Sequence, residues 1–120
     1  MPLIQIDMNS ALAERRPQIS EAVHSALVEA WEIPSDDLFQ IFRLHESGDL
    51  VFSPTYPNAN RSDILFVQIL AFNGYSPEVK QRGARLVVDR LSSIGIKRDE
   101  ILIAISENGD GDWFAPSEDD

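Results

Sequence analysis

Ile64-Leu65-Phe66-Val67-Gln68-Ile69-Leu70 is an apolar run broken only by Gln68. That pattern predicts a strand buried on both faces. A second such segment opens the chain: Pro2-Leu3-Ile4-Gln5-Ile6 also carries a single glutamine in an apolar setting. Gln5 meets Gln68 at an offset of 63 residues (68 − 5). At the same offset Leu3 meets Phe66, Ile4 meets Val67 and Ile6 meets Ile69. Further on, Val23 meets Leu86, Val28 meets Leu91, Trp31 meets Ile94 and Ile33 meets Ile96. Asp36 then meets Asp99, Asp37 meets Glu100 and Leu38 meets Ile101. One ungapped offset running through strand, helix and second strand points to an internal repeat.

Each half reads as strand, helix, strand. In the first, Ile19, Val23, Leu27, Ala30 and Trp31 fall on one face of a helix lying between Ala13 and Trp31. Asn9-Ser10 offers capping or turn chemistry, and Pro17 suits a first turn, where its missing N–H costs little. Ile33-Pro34-Ser35-Asp36 stops the helix, and a strand follows over about Leu38 to Leu44. In the second half Ser76 is the expected cap, followed by Pro77 and Glu78. Val79, Leu86, Val87, Leu91 and Ile94 form the apolar helix face, Gly95 ends it, and Ile101 to Ile105 is the last strand. The loop between the halves carries Gly48, Pro54, Pro57 and Asn58, with a short hairpin expected through Leu50-Val51-Phe52.

The order βαβ-βαβ fits a ferredoxin-like sheet or two fused copies of one unit, and the repeat favours the second. The predicted fold is α/β: two fused β-α-β units forming a four-stranded mixed sheet with two helices on one face. Right-handed crossovers put both helices on the same side. The whole chain, 1–120, reads as one domain, with repeat halves at about 2–45 and 64–107 and an acidic tail at about 107–120. The other sheet face has no cover from this chain. With Phe39, Ile41, Val67 and Ile69 available to it, association with identical chains is expected.

Composition narrows the function. The 120 residues are 43% hydrophobic and 25% charged, an ordinary globular mix. No apolar run approaches the ~18 residues of a membrane span, and no signal peptide opens the chain. The absence of cysteine excludes disulfides, thiol catalysis and Cys-based metal sites. Ten Lys+Arg against 20 Asp+Glu give a net charge of -10, which repels nucleic acid and anionic membrane. A soluble cytoplasmic protein is the expectation, with neither nucleic acid nor membrane as partner. The tail acids, Glu107, Asp110, Asp112, Glu118, Asp119 and Asp120, read as a solvated end; the chain stops before an EF-hand's final glutamate.

Familiar catalytic motifs such as GxSxG, a P-loop, GxGxxG and HExxH are absent. His24 and His45 have no sequence partner and read as structural or exposed. What stands out is Met1-Pro2, a start from which methionine is normally removed. Pro2 would then carry a free secondary amine at the head of a strand. An amino-terminal amine titrates near ~7.7–8 in peptides, close enough to neutrality to serve as general base, general acid or nucleophile.

Several segments then fall into a known order. Met1-Pro2-Leu3-Ile4-Gln5-Ile6, the duplicated βαβ, Ile33-Pro34-Ser35-Asp36-Asp37-Leu38-Phe39-Gln40-Ile41, Asn60-Arg61-Ser62-Asp63 and Asp112-Trp113-Phe114 together resemble the tautomerase superfamily. The branch they resemble most is that of the malonate semialdehyde decarboxylase-like proteins. The resemblance implies a homotrimer, no cofactor and no metal, and a small keto or enol acid as substrate. It also implies an amino-terminal proline in an apolar pocket near a subunit boundary. By position, Pro2 is then the catalytic amine and Asp37 matches the aspartate assigned to activating water. Trp113 and Phe114 fall where the family has an aromatic wall. Asp37 also reads as a turn residue after Pro34, and the two aromatics as a clasp pinning the tail.

The chain departs from the family where acid-using members carry arginines after the third strand. Here that turn reads Phe72-Asn73-Gly74-Tyr75-Ser76, and neither Asn73 nor Tyr75 supplies a bidentate cation. Arg43 and Arg61 remain as cationic candidates. Arg43 shares strand parity with Asp37, Phe39 and Ile41, and thus one expected face. Two enzyme readings follow. A keto–enol tautomerase needs neutral Pro2, with Tyr75 or Asn73 bonding the enolate. A decarboxylase or hydratase of a 3-oxo acid needs protonated Pro2, with Asp37 activating water. A trimeric binding domain that has lost the chemistry is the rival from another class.

Overall fold

The structure is a computed structural model and describes residues 1–119. Strand β1 spans Leu3–Asn9, helix α1 Arg16–Trp31, strand β2 Gln40–His45 and strand β3 Leu65–Phe72. Helix α2 spans Pro77–Ser93 and strand β4 Ile101–Asn108. The sheet order is β2-β1-β3-β4. The two outer pairs are parallel, and β1 and β3 run antiparallel in the middle. Gln5 lies directly opposite Gln68 across that central pair. Ile4 opposes Gln40 and Leu65 opposes Ile101, partners 36 residues apart in each half (40 − 4 and 101 − 65). The two β-α-β units are thus related by an approximate twofold axis between the glutamines.

Helix boundaries follow local chemistry. The Asn9 side chain accepts from Ala11 N at 2.9 Å and starts a 3-10 segment, Ser10–Arg15, that leads into α1. Glu32 ends α1 in a left-handed conformation with φ 56°, ahead of Pro34. The Ser76 hydroxyl accepts from Val79 N at 3.2 Å and caps α2. Gly95, with φ 96°, takes the left-handed position that a side chain would disfavour.

The core lies between sheet and helices. Ile4, Ile6, Met8, Leu65, Val67, Ile69 and Ala71 alternate inward along the central strands and meet Val23, Leu27, Val87 and Leu91. This corrects one expectation: Val67 and Ile69 point at the helices. Half-buried Phe66 and Leu70 alternate with them on the uncovered face. Gln68, the run's single polar residue, takes the exposed face with Phe66 and Leu70, and the period of 2 turns its neighbours Val67 and Ile69 inward. On that side Phe39, Ile41 and Leu102 remain 48%, 41% and 49% exposed.

Two further expectations are corrected. No hairpin forms at Leu50-Val51-Phe52, and Val51 projects into solvent. The loop is instead stapled by Arg61, which donates to Asp99 O at 2.5 Å, Ser53 O at 2.9 Å and Tyr56 O. Strand β2 begins at Gln40 rather than Leu38, because Asp37 N bonds Pro34 O and Leu38 N bonds Asp36 O, holding 34–38 in turns. No helix among the described residues is long and apolar enough to cross a membrane.

Candidate active site

Pro2 has no N–H to give a ladder, so β1 begins one residue later, with Pro2 buried at its head. Ile4 N donates to Phe39 O at 3.0 Å and brings the 34–39 turn alongside. That turn presents Asp37, whose side chain is 14% exposed. Its Oδ2 lies 3.3 Å from the amino nitrogen of Met1, and its Oδ1 is buried without a hydrogen-bond partner. His24, buried on α1, donates from Nε2 to Ser35 O at 2.7 Å and ties the turn to the helix.

Tyr75 follows β3 and stacks on Trp31, with ring centroids 4.7 Å apart and planes at 27°. Burial raises the Tyr75 phenol above its ordinary value of 10.0, and the charge of nearby Asp37 raises it further. Tyr75 is therefore a hydrogen-bond donor across the neutral range. Trp31 is itself fixed by Nε1 donating to Val79 O at 3.0 Å. Asn73 is exposed; its backbone N donates to Asn108 O at 2.8 Å, and its side chain lies against Gly109. After β4, Asp112 N bonds Gly109 O at 3.1 Å and Gly109 N bonds Asp112 Oδ2 at 2.8 Å. This turn folds the chain back, and Trp113 follows with Nε1 buried and unpartnered.

The first-strand head, the Asp37 turn, Tyr75 and the β4 end with Trp113 thus converge on one end of the sheet. Three other candidates do not join them within the chain. Phe114 is 85% exposed, and Phe39 lies on the open sheet face. Arg43 opposes Asp7 in the register, five residues up β1 from Pro2, and sits 3.8 Å from the Asp7 carboxylate. At about 3.3 Å per residue that is ~16 Å from the strand head. His45 Nε2 shares the same carboxylate at 2.8 Å. The sequence reading missed Asn108, whereas His24, read there as structural or exposed, is buried and structural. His24 gave one signal, its place on the apolar face of α1. Asn108 Oδ1 is buried without a partner, and only the turn after β4 reveals it.

Two tautomerase family profiles, each described as a tautomerase enzyme, match this chain over residues 37–114 and 2–60. A curated relative, "Probable tautomerase YrdN" of Bacillus subtilis (strain 168), is 32% identical over 94% of this chain and 89% of its own length. The chain belongs to the tautomerase family. "Probable tautomerase YusQ" of the same organism is 28% identical over 94% of this chain and 91% of its own. Among solved structures, FG41 malonate semialdehyde decarboxylase inhibited by 3-bromopropiolate superposes with a TM-score of 0.90. It is 34% identical, over 97% of this chain and 90% of that one. A second malonate semialdehyde decarboxylase, described as having decarboxylase and hydratase activities, gives 0.88 at 25% identity, over 97% and 92%.

Proposed function

We propose that this chain is a small-molecule keto–enol tautomerase in which the amine of Pro2, freed by removal of Met1, carries the proton between oxygen and carbon. The observation that carries this reading is the contact between Asp37 and the amino terminus at the buried head of β1. The Met1 ammonium stands where a substrate hydroxyl or a water would sit once methionine is gone. Standard bond lengths put Pro2 N within about 4 Å of that nitrogen. Asp37 and Pro2 then flank one small space, and the Tyr75 phenol supplies a donor for the developing enolate. A second reading, hydration or decarboxylation of a 3-oxo acid, is favoured by the unpartnered Asp37 Oδ1, an acceptor free to take a proton from water.

We further propose that the open sheet face, with Phe39, Ile41 and Leu102, packs against two identical chains in a homotrimer. Light scattering at micromolar concentration should return about three times 13.5 kDa; a monomer removes this proposal.

The test of the chemistry is to compare three chains on aryl and alkyl enolpyruvates and on 3-oxopropanoate: processed chain starting at Pro2, a form with methionine retained, and Pro2→Ala. Only the processed chain should turn over fully, and Pro2→Ala should keep a trace through its primary amine. Equal turnover by the methionine-retained form refutes the reading, since an amide nitrogen is neither basic nor nucleophilic. Activity that rises with pH assigns the tautomerase, whereas activity that falls with pH assigns the hydratase or decarboxylase.

A further inference from the structure

The dipeptide Asn-Gly occurs twice, at Asn73-Gly74 and at Asn108-Gly109. Asparagine is one of the thermally labile side chains. A glycine after it leaves the next backbone nitrogen unshielded, because no Cβ stands beside that nitrogen. The nitrogen can then close on the asparagine side-chain carbon, provided that the fold lets the two atoms meet. The two copies are neighbours, joined by Asn73 N donating to Asn108 O at 2.8 Å, yet they are held differently.

Asn108 is the last residue of β4, opposite Phe72 in the ladder, and its Oδ1 is buried. Gly109 N donates to Asp112 Oδ2 at 2.8 Å, and Asp112 N donates back to Gly109 O at 3.1 Å. The attacking nitrogen is thus engaged by a carboxylate, and the target carbon belongs to a residue fixed in a strand. The Asn73 amide nitrogen also covers Gly109, 3.1 Å from where a Cβ would stand.

Asn73 lies one residue beyond β3, and both it and Gly74 are exposed. Among the described residues, neither the Asn73 side chain nor Gly74 N has a hydrogen-bond partner. Gly74 has φ 115°, with open space where a side chain would be. Ring closure there has room, and no bond must break to release its nitrogen.

We propose that Asn73 is a site of spontaneous deamidation in the folded protein, and that Asn108, followed by the same residue, is protected. Gly74 N loses its proton and bonds to Asn73 Cγ; the bond from Cγ to the side-chain nitrogen breaks, and that nitrogen leaves with the proton as ammonia. Water, the sole co-reactant, opens the cyclic imide at either carbonyl and leaves aspartate or isoaspartate. Either product sets a carboxylate two residues before Tyr75, and isoaspartate also lengthens the backbone of that turn by one carbon. The inference does not depend on the role of Pro2.

The test ages the full-length chain in mildly alkaline buffer below its melting temperature and maps deamidation by peptide mass spectrometry. Cleavage after Arg61, Lys80 and Arg98 puts the two asparagines in separate peptides. Asn73 should convert roughly tenfold faster than Asn108 or more, the worth of one hydrogen bond to a charged group. In denaturant the two should convert at similar rates. Asp112→Ala frees Gly109 N and should raise the Asn108 rate roughly tenfold while leaving Asn73 unchanged. Should Asp112→Ala fail to fold, the wild-type comparison with and without denaturant carries the test. Equal rates in the folded chain, or no conversion at Asn73, overturn the proposal. An unchanged Asn108 rate in folded Asp112→Ala overturns the assignment of its protection to the Asp112 bond.

Discussion

Asp37 and Glu100 occupy the same position in the two halves of the repeat, 63 residues apart (100 − 37), and meet opposite fates. Each stands just before the second strand of its unit and faces the segment that enters the first. In the second half that segment is continuous chain, and the Glu100 carboxylate accepts from Ser62 N, Ser62 Oγ and Asp63 N at 2.8–2.9 Å. In the first half Asp37 Oδ2 faces the Met1 amino group, and among the described residues its Oδ1 is buried without a partner. The same local fold makes a structural staple at Glu100 and leaves Asp37 facing the Met1 amine at the head of β1.

Asp37→Asn should separate stability from activity. Asparagine keeps the side-chain oxygen but not the charge, so the change removes the cost of burying a charge as well as the contact with the amino terminus. If Asp37 has the role proposed for it, the melting temperature should hold steady or rise. Hydration or decarboxylation that uses Asp37 as base should fall by ~10²–10⁴-fold. Enzyme assays beside thermal unfolding check both; a large loss of stability would mean that Asp37 is chiefly a turn residue.

Glu100→Gln should act on the loop instead. Partial burial alone would raise the Glu100 pKa, but the Ser62 and Asp63 hydrogen bonds, with Lys97 nearby, hold it below its ordinary 4.5. A lowered carboxylate stabilises the fold above its unfolded pKa, and that contribution is lost as pH falls through the folded value. The Ser62 and Asp63 amide resonances should therefore move as pH drops below 4.5, and Glu100→Gln should flatten that titration. Flat wild-type amide shifts down to acid unfolding would show that the staple does not depend on charge.

Much of this was legible in the sequence, for a physical reason. The offset between Gln5 and Gln68 is a property of the chain alone, and the strand register realises it by placing the two opposite each other. Capping chemistry at Ser76 and the stop at Pro34 are local and were readable as such. What depended on tertiary contact was not. The inward phase of Val67 and Ile69 rested on one polar residue, Gln68, too little to oppose the reading of a strand buried on both faces. Arg43 shares parity with Ile41, but its distance from Pro2 depends on how far up the strand it sits. Asn108 gave no signal because a lone asparagine at a strand end has none until a turn buries it.

Tyr75→Phe should keep the fold and lose rate. The stack on Trp31 needs only the ring, whereas enolate stabilisation needs the O–H. Loss of one such donor costs on the order of 10²–10³ in kcat. Because the phenol is raised above 10.0, the Tyr75-dependent part of the activity should persist to higher pH than an ordinary tyrosine allows. Tyr75→Arg should instead improve the binding of small acids by roughly ten- to a hundredfold, the worth of a charge-assisted bidentate contact. Steady-state kinetics of both variants on a matched acid and amide would show this. Unchanged kcat in Tyr75→Phe would remove Tyr75 from the chemistry.

Gly83→Ala links the helix packing to the site. Gly83 is buried on α2 where Trp31 crosses, and a methyl group there would come within 2.8 Å of the indole Cε2. The indole must move, at the expense of its Nε1 bond to Val79 O and its stack on Tyr75. Alanine's better helix propensity offsets about 1 kcal/mol. Overpacking costs typically ~1–3 kcal/mol and a lost buried hydrogen bond about 1 more. A net loss of roughly 1–3 kcal/mol, several degrees in melting temperature, is expected. Displacing Tyr75 should lower kcat as well, although Gly83 itself touches no substrate. Trp31→Phe provides the control: the smaller ring leaves room for the methyl, so the double variant should be no less stable than Trp31→Phe alone. That non-additivity is the signature of a shared contact. If the two losses simply add, the Gly83 methyl is disturbing something other than Trp31, and the route from helix packing to Tyr75 is wrong.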